Sequence, residues 1–169
     1  MKIAIYGPMC SGKSTVAKII QDHDSRHEIY SFGKKIKELA SELFEMEGKD
    51  RSLLINIADK MRDIDVDVWA KYVLKQTEHK EFCIVDDLRF QNEINFLKDW
   101  KIICLTTPLN VRKERIKELY PGNYEDHYKN MGHLSETGVL KFPSGGRTIY
   151  LSTDIPLDLL TTIVIRELF

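Results

Sequence analysis

Short apolar runs alternate with longer stretches in which apolar residues recur every third or fourth position, from one end of the chain to the other. The runs Lys2 to Tyr6, Glu28 to Ser31, Phe82 to Asp86, Lys101 to Thr106 and Arg147 to Leu151 read as strands. Helices are predicted at Ser14 to Gln21 and at Lys34 to Phe44, where Ile36, Leu39, Ala40, Leu43 and Phe44 share one face. Leu53, Leu54, Ile57, Ala58 and Met61 form one further apolar stripe, and Val66, Trp69, Ala70, Val73 and Leu74 another. Asn92 to Asp99, Asn110 to Tyr120 and Leu157 to Phe169 complete the helices. Strands alternating with helices predict an α/β fold, a five-stranded parallel sheet flanked by helices, as one domain over residues 1–169. Pro121 to Gly146 lacks apolar periodicity and is too long for an ordinary connection, so it reads as a functional lid or a disordered loop.

Charge narrows the function classes. The 25 Lys and Arg against 26 Asp and Glu leave a net charge of −1. That balance carries no basic footprint for a nucleic-acid backbone or an acidic membrane surface. No apolar run is long enough to span a bilayer, and the apolar start breaks at Gly7-Pro8 before a signal-peptide core can form. A soluble, cytoplasmic protein is therefore expected, without nucleic-acid or membrane partners. Cys10, Cys83 and Cys104 are odd in number and free of any C-x-x-C pair, which argues against a disulfide framework and a zinc site. Cys83 and Cys104 lie in strand-like runs and read as small core residues.

The sharpest chemical signal is Gly7-Pro8-Met9-Cys10-Ser11-Gly12-Lys13-Ser14, which fits G-x-x-x-x-G-K-[ST] and directly follows the first strand. A strand that turns into a helix N-terminus aims unpaired backbone N–H groups at an anion, and glycines let the backbone wrap closely. The segment Gly7 to Thr15 is thus a candidate ATP-phosphate site. Lys13 would reach the terminal phosphates, Ser14 would ligate Mg²⁺ and Thr15 would assist with a phosphate. Cys10 reads mainly as a filler position, its alternative being a thiol acidified by the helix terminus.

The run Phe82 to Asp87 ends in two carboxylates, and in open α/β sheets ligands bind where strands end. Asp86 and Asp87 are candidates for the water shell of Mg²⁺ and for orienting an acceptor, and the residues leave open which serves the metal. The alternative reading is a helix cap. The following Leu88-Arg89-Phe90-Gln91-Asn92-Glu93 completes a D-L-R-F-Q-N-E segment. It resembles the D-x-R-F-x-N-E segment of phage and large-DNA-virus deoxynucleoside monophosphate kinases, a branch of the P-loop nucleoside monophosphate kinases. Ser31 to Leu39 is similar to the first acceptor-site helix of that family, and Met61-Arg62-Asp63-Ile64-Asp65 with Trp69 to its R-x-I-D…W element. Arg112 and Arg115 fall where such kinases carry lid arginines, and His133-Leu134-Ser135-Glu136 resembles an H-x-S-E piece. Gly33 departs from the larger or acidic residue frequent in that family, and Asp86 adds a second acid.

The resemblance implies an enzyme that uses ATP and Mg²⁺ to phosphorylate a deoxynucleoside monophosphate for dNTP supply, in a host cytoplasm if the chain is viral. It divides the domain into an acceptor-binding region at about 32–80 and a lid at about 112–146, and it alone suggests a homodimer. Lys13, Arg112, Arg115 and Asp87 would serve the transfer. Phe32, Lys35, Arg62, Trp69, Asp87, Arg89, Asn92, Glu93, His133 and Glu136 would hold the acceptor, and Ser14 with Asp86 the metal, Asp86 through water. Arginine suits this work because its planar fork binds phosphate oxygens in pairs. Phe32 and Trp69 could stack on the base or belong to the core. Rival readings are another P-loop small-metabolite or nucleoside kinase and a non-catalytic nucleotide-binding module. A guanine switch lacks its N-K-x-D and D-x-x-G signatures, and a nucleic-acid-processing ATPase lacks a basic face.

Overall fold

The computed structural model describes residues 1–169. Five strands, β1 (Lys2–Tyr6), β2 (Glu28–Tyr30), β3 (Cys83–Leu88), β4 (Lys101–Thr106) and β5 (Thr148–Ser152), form one sheet in the order β2-β3-β1-β4-β5. Every neighbouring pair is parallel, as the alternation of strands and helices requires. The helices are α1 (Lys13–His23), α2 (Phe32–Phe44), α3 (Arg51–Ile64), α4 (Val68–Thr77), α5 (Gln91–Phe96), α6 (Leu109–Leu119), α7 (Tyr124–Lys129), α8 (Leu134–Thr137) and α9 (Leu157–Leu168). None is long and apolar enough to cross a membrane.

Both sheet faces are covered, because successive side chains on a strand point to opposite sides. Ile3, Ile5, Ile84, Ile103 and Leu105 face one way, onto Val16, Ala17 and Ile20 of α1 and Leu160, Val164 and Leu168 of α9. Ala4, Cys83, Val85, Ile102 and Cys104 face the other way, onto Phe32, Ile36 and Ala40 of α2, Leu54 and Ala58 of α3, and Trp69 and Val73 of α4. Cys83 and Cys104 are core residues, as expected.

Two departures from the expected elements bear on the site. Strand β3 continues past the acidic pair to Leu88, and its register on β1 jumps from Ala4↔Val85 to Tyr6↔Leu88. This bulge sets Asp86 and Asp87 opposite the single residue Ile5, bending the strand where its two acids leave the sheet. The segment from Pro121 to Gly146 is not a bare loop: it contains α7, a short 3₁₀ turn and α8. It is pinned to the start of α3, where the Asp126 carboxylate accepts the backbone N–H groups of Arg51 at 2.7 Å and Ser52 at 3.3 Å. Buried His127 stacks on Tyr120 with ring centroids 4.1 Å apart.

Candidate active site

At the C-terminal edge of the sheet a cavity of about 500 Å³ extends from the glycine-rich loop to the inner faces of α2 and α3. One end is the turn from β1 into α1. Gly12 carries a φ of +90°, a conformation open to glycine and strained for other residues, and with it the chain enters α1. Residues Met9 to Thr15 line the cavity. Gly7 and Pro8 lie at the base of the loop, where their carbonyls accept hydrogen bonds from Lys13 Nζ at 2.6 and 2.8 Å. Burial, reinforced by the nearby Arg89 charge, depresses the Lys13 amine to about 7.

Ser14 Oγ donates to Asp86 Oδ2 at 3.0 Å. A hydroxyl and a carboxylate side by side at a helix N-terminus match the oxygen chemistry of Mg²⁺, which takes one or two protein ligands and keeps several waters. Ser14 and Asp86 therefore fit such an ion. Burial, with Asp87 beside it, raises the Asp86 carboxyl above the ordinary value, and a cation at this place would oppose that shift.

Asp87 has different work. Its carboxylate accepts the Ser31 hydroxyl at 2.7 Å and the backbone N–H groups of Phe32 at 2.8 Å and Gly33 at 2.7 Å. It caps α2 from across the sheet and satisfies donors that the first turn leaves open. Asp87 thus anchors the α2 wall and borders the cavity.

The opposite wall is built of guanidinium groups. Arg51, Arg62 and Arg89 all line the cavity. Arg62 Nη1 donates to Asp59 at 3.1 Å, and its guanidinium lies 4.1 Å from the centre of the Phe90 ring. Glu93, buried in the first turn of α5, accepts the backbone N–H groups of Arg89 at 2.7 Å and Phe90 at 2.9 Å, with Arg62 Nη2 3.8 Å away. Burial pushes its carboxyl up to about 7. Glu93 therefore holds the two arginines from behind, at the edge of the cavity. Arg89 Nη1 donates to the Ser135 carbonyl at 3.1 Å and to Glu136. His133 Nε2 lies 3.1 Å from Asp59 Oδ2, so α8 closes this side.

Several other expected contacts are corrected. Trp69 is core: its indole Nε1 donates to the Ala58 carbonyl at 3.1 Å, and the ring lies on the apolar stripe of α4. Lys35 does not line the cavity and pairs with Glu38, while Lys37, two residues on, lines it. Asn92 Nδ2 donates to the Val66 carbonyl at 3.0 Å and to Asp67 at 2.9 Å, tying α5 to the α3–α4 turn. Arg112 does not border the cavity. Arg115 does, and it braces the glycine-rich loop from the β5 side, donating to the carbonyls of Cys10 at 3.3 Å and Thr153 at 2.7 Å. Burial raises the Cys10 thiol, which removes the acidified alternative. Phe32 is almost wholly buried in the core, with its edge at the cavity.

Arg51 and Lys49 were not singled out by sequence. They sit in Gly48-Lys49-Asp50-Arg51, a polar stretch with no periodicity, and its one structural signal is Asp50, whose carboxylate caps α3 by accepting Leu53 N–H at 2.8 Å. That cap fixes the start of α3 and so brings both cations to the cavity.

Comparison with known proteins agrees with this fold. A family model described as AAA domain matches residues 3–130. No curated protein matches in sequence. Among solved structures, a gluconokinase from Sinorhizobium meliloti 1021 superimposes with a TM-score of 0.62 at 15% identity, over 98% of this chain and 90% of that one. The Mycobacterium tuberculosis APS kinase CysC, in complex with AMPPNP and APS, gives 0.56 at 14% identity over 99% and 96%. Shikimate kinase from Aquifex aeolicus vf5 gives 0.52 at 18% identity, also over 99% and 96%. The five-stranded parallel sheet with flanking helices is the fold of P-loop kinases.

Proposed function

The chain belongs to the AAA domain family, and from that premise we propose that it is an ATP- and Mg²⁺-dependent phosphotransferase whose acceptor is a deoxynucleoside monophosphate. The observation that carries this reading is one cavity joining the loop of Lys13 and Ser14 to the wall of Arg51, Arg62 and Arg89. Phosphoryl transfer needs in-line placement and dense positive charge more than covalent help from the protein. Lys13 would neutralise the donor phosphates. Mg²⁺, held by Ser14 with Asp86, would supply further charge between them. Three guanidinium groups facing the loop favour an acceptor that itself carries a phosphate, because such forks bind its oxygens in pairs. The D-L-R-F-Q-N-E segment, which supplies Arg89 and Glu93, supports the nucleotide and a place in dNTP supply.

A second reading, a different small phosphorylated metabolite as acceptor, draws on the aromatic residues. Trp69 is buried in the core, Phe90 is covered by Arg62 and Tyr120 stacks on His127, so these rings already have partners. The two readings separate in one experiment. ADP release from Mg²⁺-ATP is measured with dTMP, dGMP, dCMP, dAMP, the ribonucleoside monophosphates, nucleosides and phosphorylated sugars. Stimulation led by one or more deoxynucleotides supports the first reading. Stimulation by a phosphorylated sugar alone supports the second, and turnover with nucleosides but no phosphorylated acceptor overturns both.

A further inference from the structure

Glu136 touches both halves of the site. Its Oε2 accepts the backbone N–H of Met9, in the donor loop, at 2.5 Å. Its Oε1 is shared by Arg51 Nη2 and Arg89 Nη1, two neighbouring members of the arginine wall. The side chain is 1% exposed, so water does little to weaken these contacts. Burial alone would raise the carboxyl, but Arg89, Arg51, Lys13 and the Met9 N–H together hold it below the usual carboxylate range. Arg51 also has a buried Nε without a hydrogen-bond partner.

We propose that Glu136 is a positioning residue, which sets Arg51 and Arg89 at the spacing that takes the acceptor's phosphate and registers them against the donor loop at Met9. The proposal rests on the phosphotransferase reading. Two guanidinium groups that converge on one oxygen repel each other, and the shared carboxylate is what keeps them together. A guanidinium already held in place loses little further freedom when phosphate arrives, so the wall binds more tightly than two unrestrained arginines would. The link to Met9 makes that wall part of the same rigid unit as the loop. An opposite role is conceivable for the same carboxylate, that of an anion competing with phosphate for the arginines, and it predicts the opposite sign in the test.

The test compares the wild type with Glu136→Gln, which keeps the shape and loses the charge, and Glu136→Asp, which keeps the charge and falls one methylene short. Each protein is saturated with Mg²⁺-AMPPNP to fill the donor loop, and inorganic phosphate is then titrated by calorimetry as the probe of the arginine wall. Phosphate affinity is expected to fall by about tenfold or more in both variants, the size found for supporting contacts behind a binding group. AMPPNP affinity should stay within about threefold, because the main donor contacts are elsewhere. The five methionines allow a selective amide spectrum by ¹⁵N-methionine labelling, with Met9 assigned through Met9→Leu. The Met9 amide signal should move when phosphate binds the wild type and stay still in both variants, an effect that a purely structural role would not produce. Unchanged or tighter phosphate binding in Glu136→Gln overturns the proposal, as does a Met9 signal in the wild type that ignores phosphate. Glu136→Asp carries the comparison if loss of charge alone unfolds the protein. Failure of AMPPNP to bind the wild type overturns the phosphotransferase reading and this proposal with it, whereas AMPPNP binding with uncoupled phosphate overturns this proposal alone.

Discussion

Ser14 Oγ and Asp86 Oδ2 meet across 3.0 Å although 72 residues separate them in the chain. The contact joins the first helix to the strand paired with β1, and it gives the two adjacent acids different tasks. Asp86 looks toward the donor loop, while Asp87 is consumed by the N-terminus of α2.

Substitution should therefore separate the pair. Asp86→Asn is expected to lower turnover by about 10²-fold or more, the usual loss when a group that stabilises transferring charge is removed, with little change in Tm. Asp87→Ala is expected to lower stability by about 1–2 kcal/mol through the lost cap. Steady-state rates and thermal unfolding of both variants decide this, and equal effects on both properties would contradict the division of labour.

Gly33 belongs to the same arrangement. A Cβ there would lie 3.0 Å from Asp87 Oδ2, tighter than side chains ordinarily tolerate, so the Asp87 carboxylate would have to shift away from the α2 N-terminus to admit one. Gly33→Ala should raise the KM for the acceptor and lower Tm, whereas the same substitution at Gly122, where a Cβ would meet nothing, should leave the KM unchanged.

Lys13 predicts a trade between stability and function. Its amine titrates at about 7 in the folded protein against 10.5 in a free lysine. Below about 7 the amine is charged in both folded and unfolded chains, and the folded protein bears the full penalty of a buried cation. Between about 7 and 10.5 the unfolded chain holds the proton that the folded one has lost, so stability rises with pH. Lys13→Met should be inactive yet melt roughly 2–4 °C higher at neutral pH, with an advantage that shrinks as pH rises through that window. Scans from pH 6 to 10, about the range that brackets the window, would reveal it, and a variant less stable than wild type throughout would contradict it.

Glu93 has the opposite signature. Its folded value of about 7 lies above the ordinary 4.5, so the folded state holds its proton more firmly. That contribution is complete below about 4.5 and is lost as pH rises through about 7. Glu93→Gln, which stays neutral, should flatten the fall of Tm across this interval. A wild-type slope retained in the variant would place the titrating group elsewhere.

Legibility in the sequence followed how local each determinant was. Residues Gly7 to Thr15 could be read because strand, loop and helix are contiguous, and the strands because each is a short, largely apolar stretch between helical ones. Trp69 shows the limit of motif likeness: its place on an apolar stripe told of the core more faithfully than its position in an R-x-I-D…W pattern. Lys35 and Lys37 are both basic, and only the rotation of α2 against the sheet decides which one meets the cavity. Arg51 was hidden because its role depends on two distant partners, Asp126 on its backbone and Glu136 on its guanidinium. The bulge in β3 is likewise a property of strand pairing, and no run of residues in β3 alone announces it.

The most direct test of the central claim follows the labelled terminal phosphate of ATP in the presence of Mg²⁺ and each deoxynucleoside monophosphate, with Lys13→Ala as control. The account predicts that label moves onto at least one of them as the diphosphate, and that the folded Lys13→Ala protein transfers none. Label that stays on ATP or passes only to water, with every phosphorylated acceptor unmodified, would contradict it.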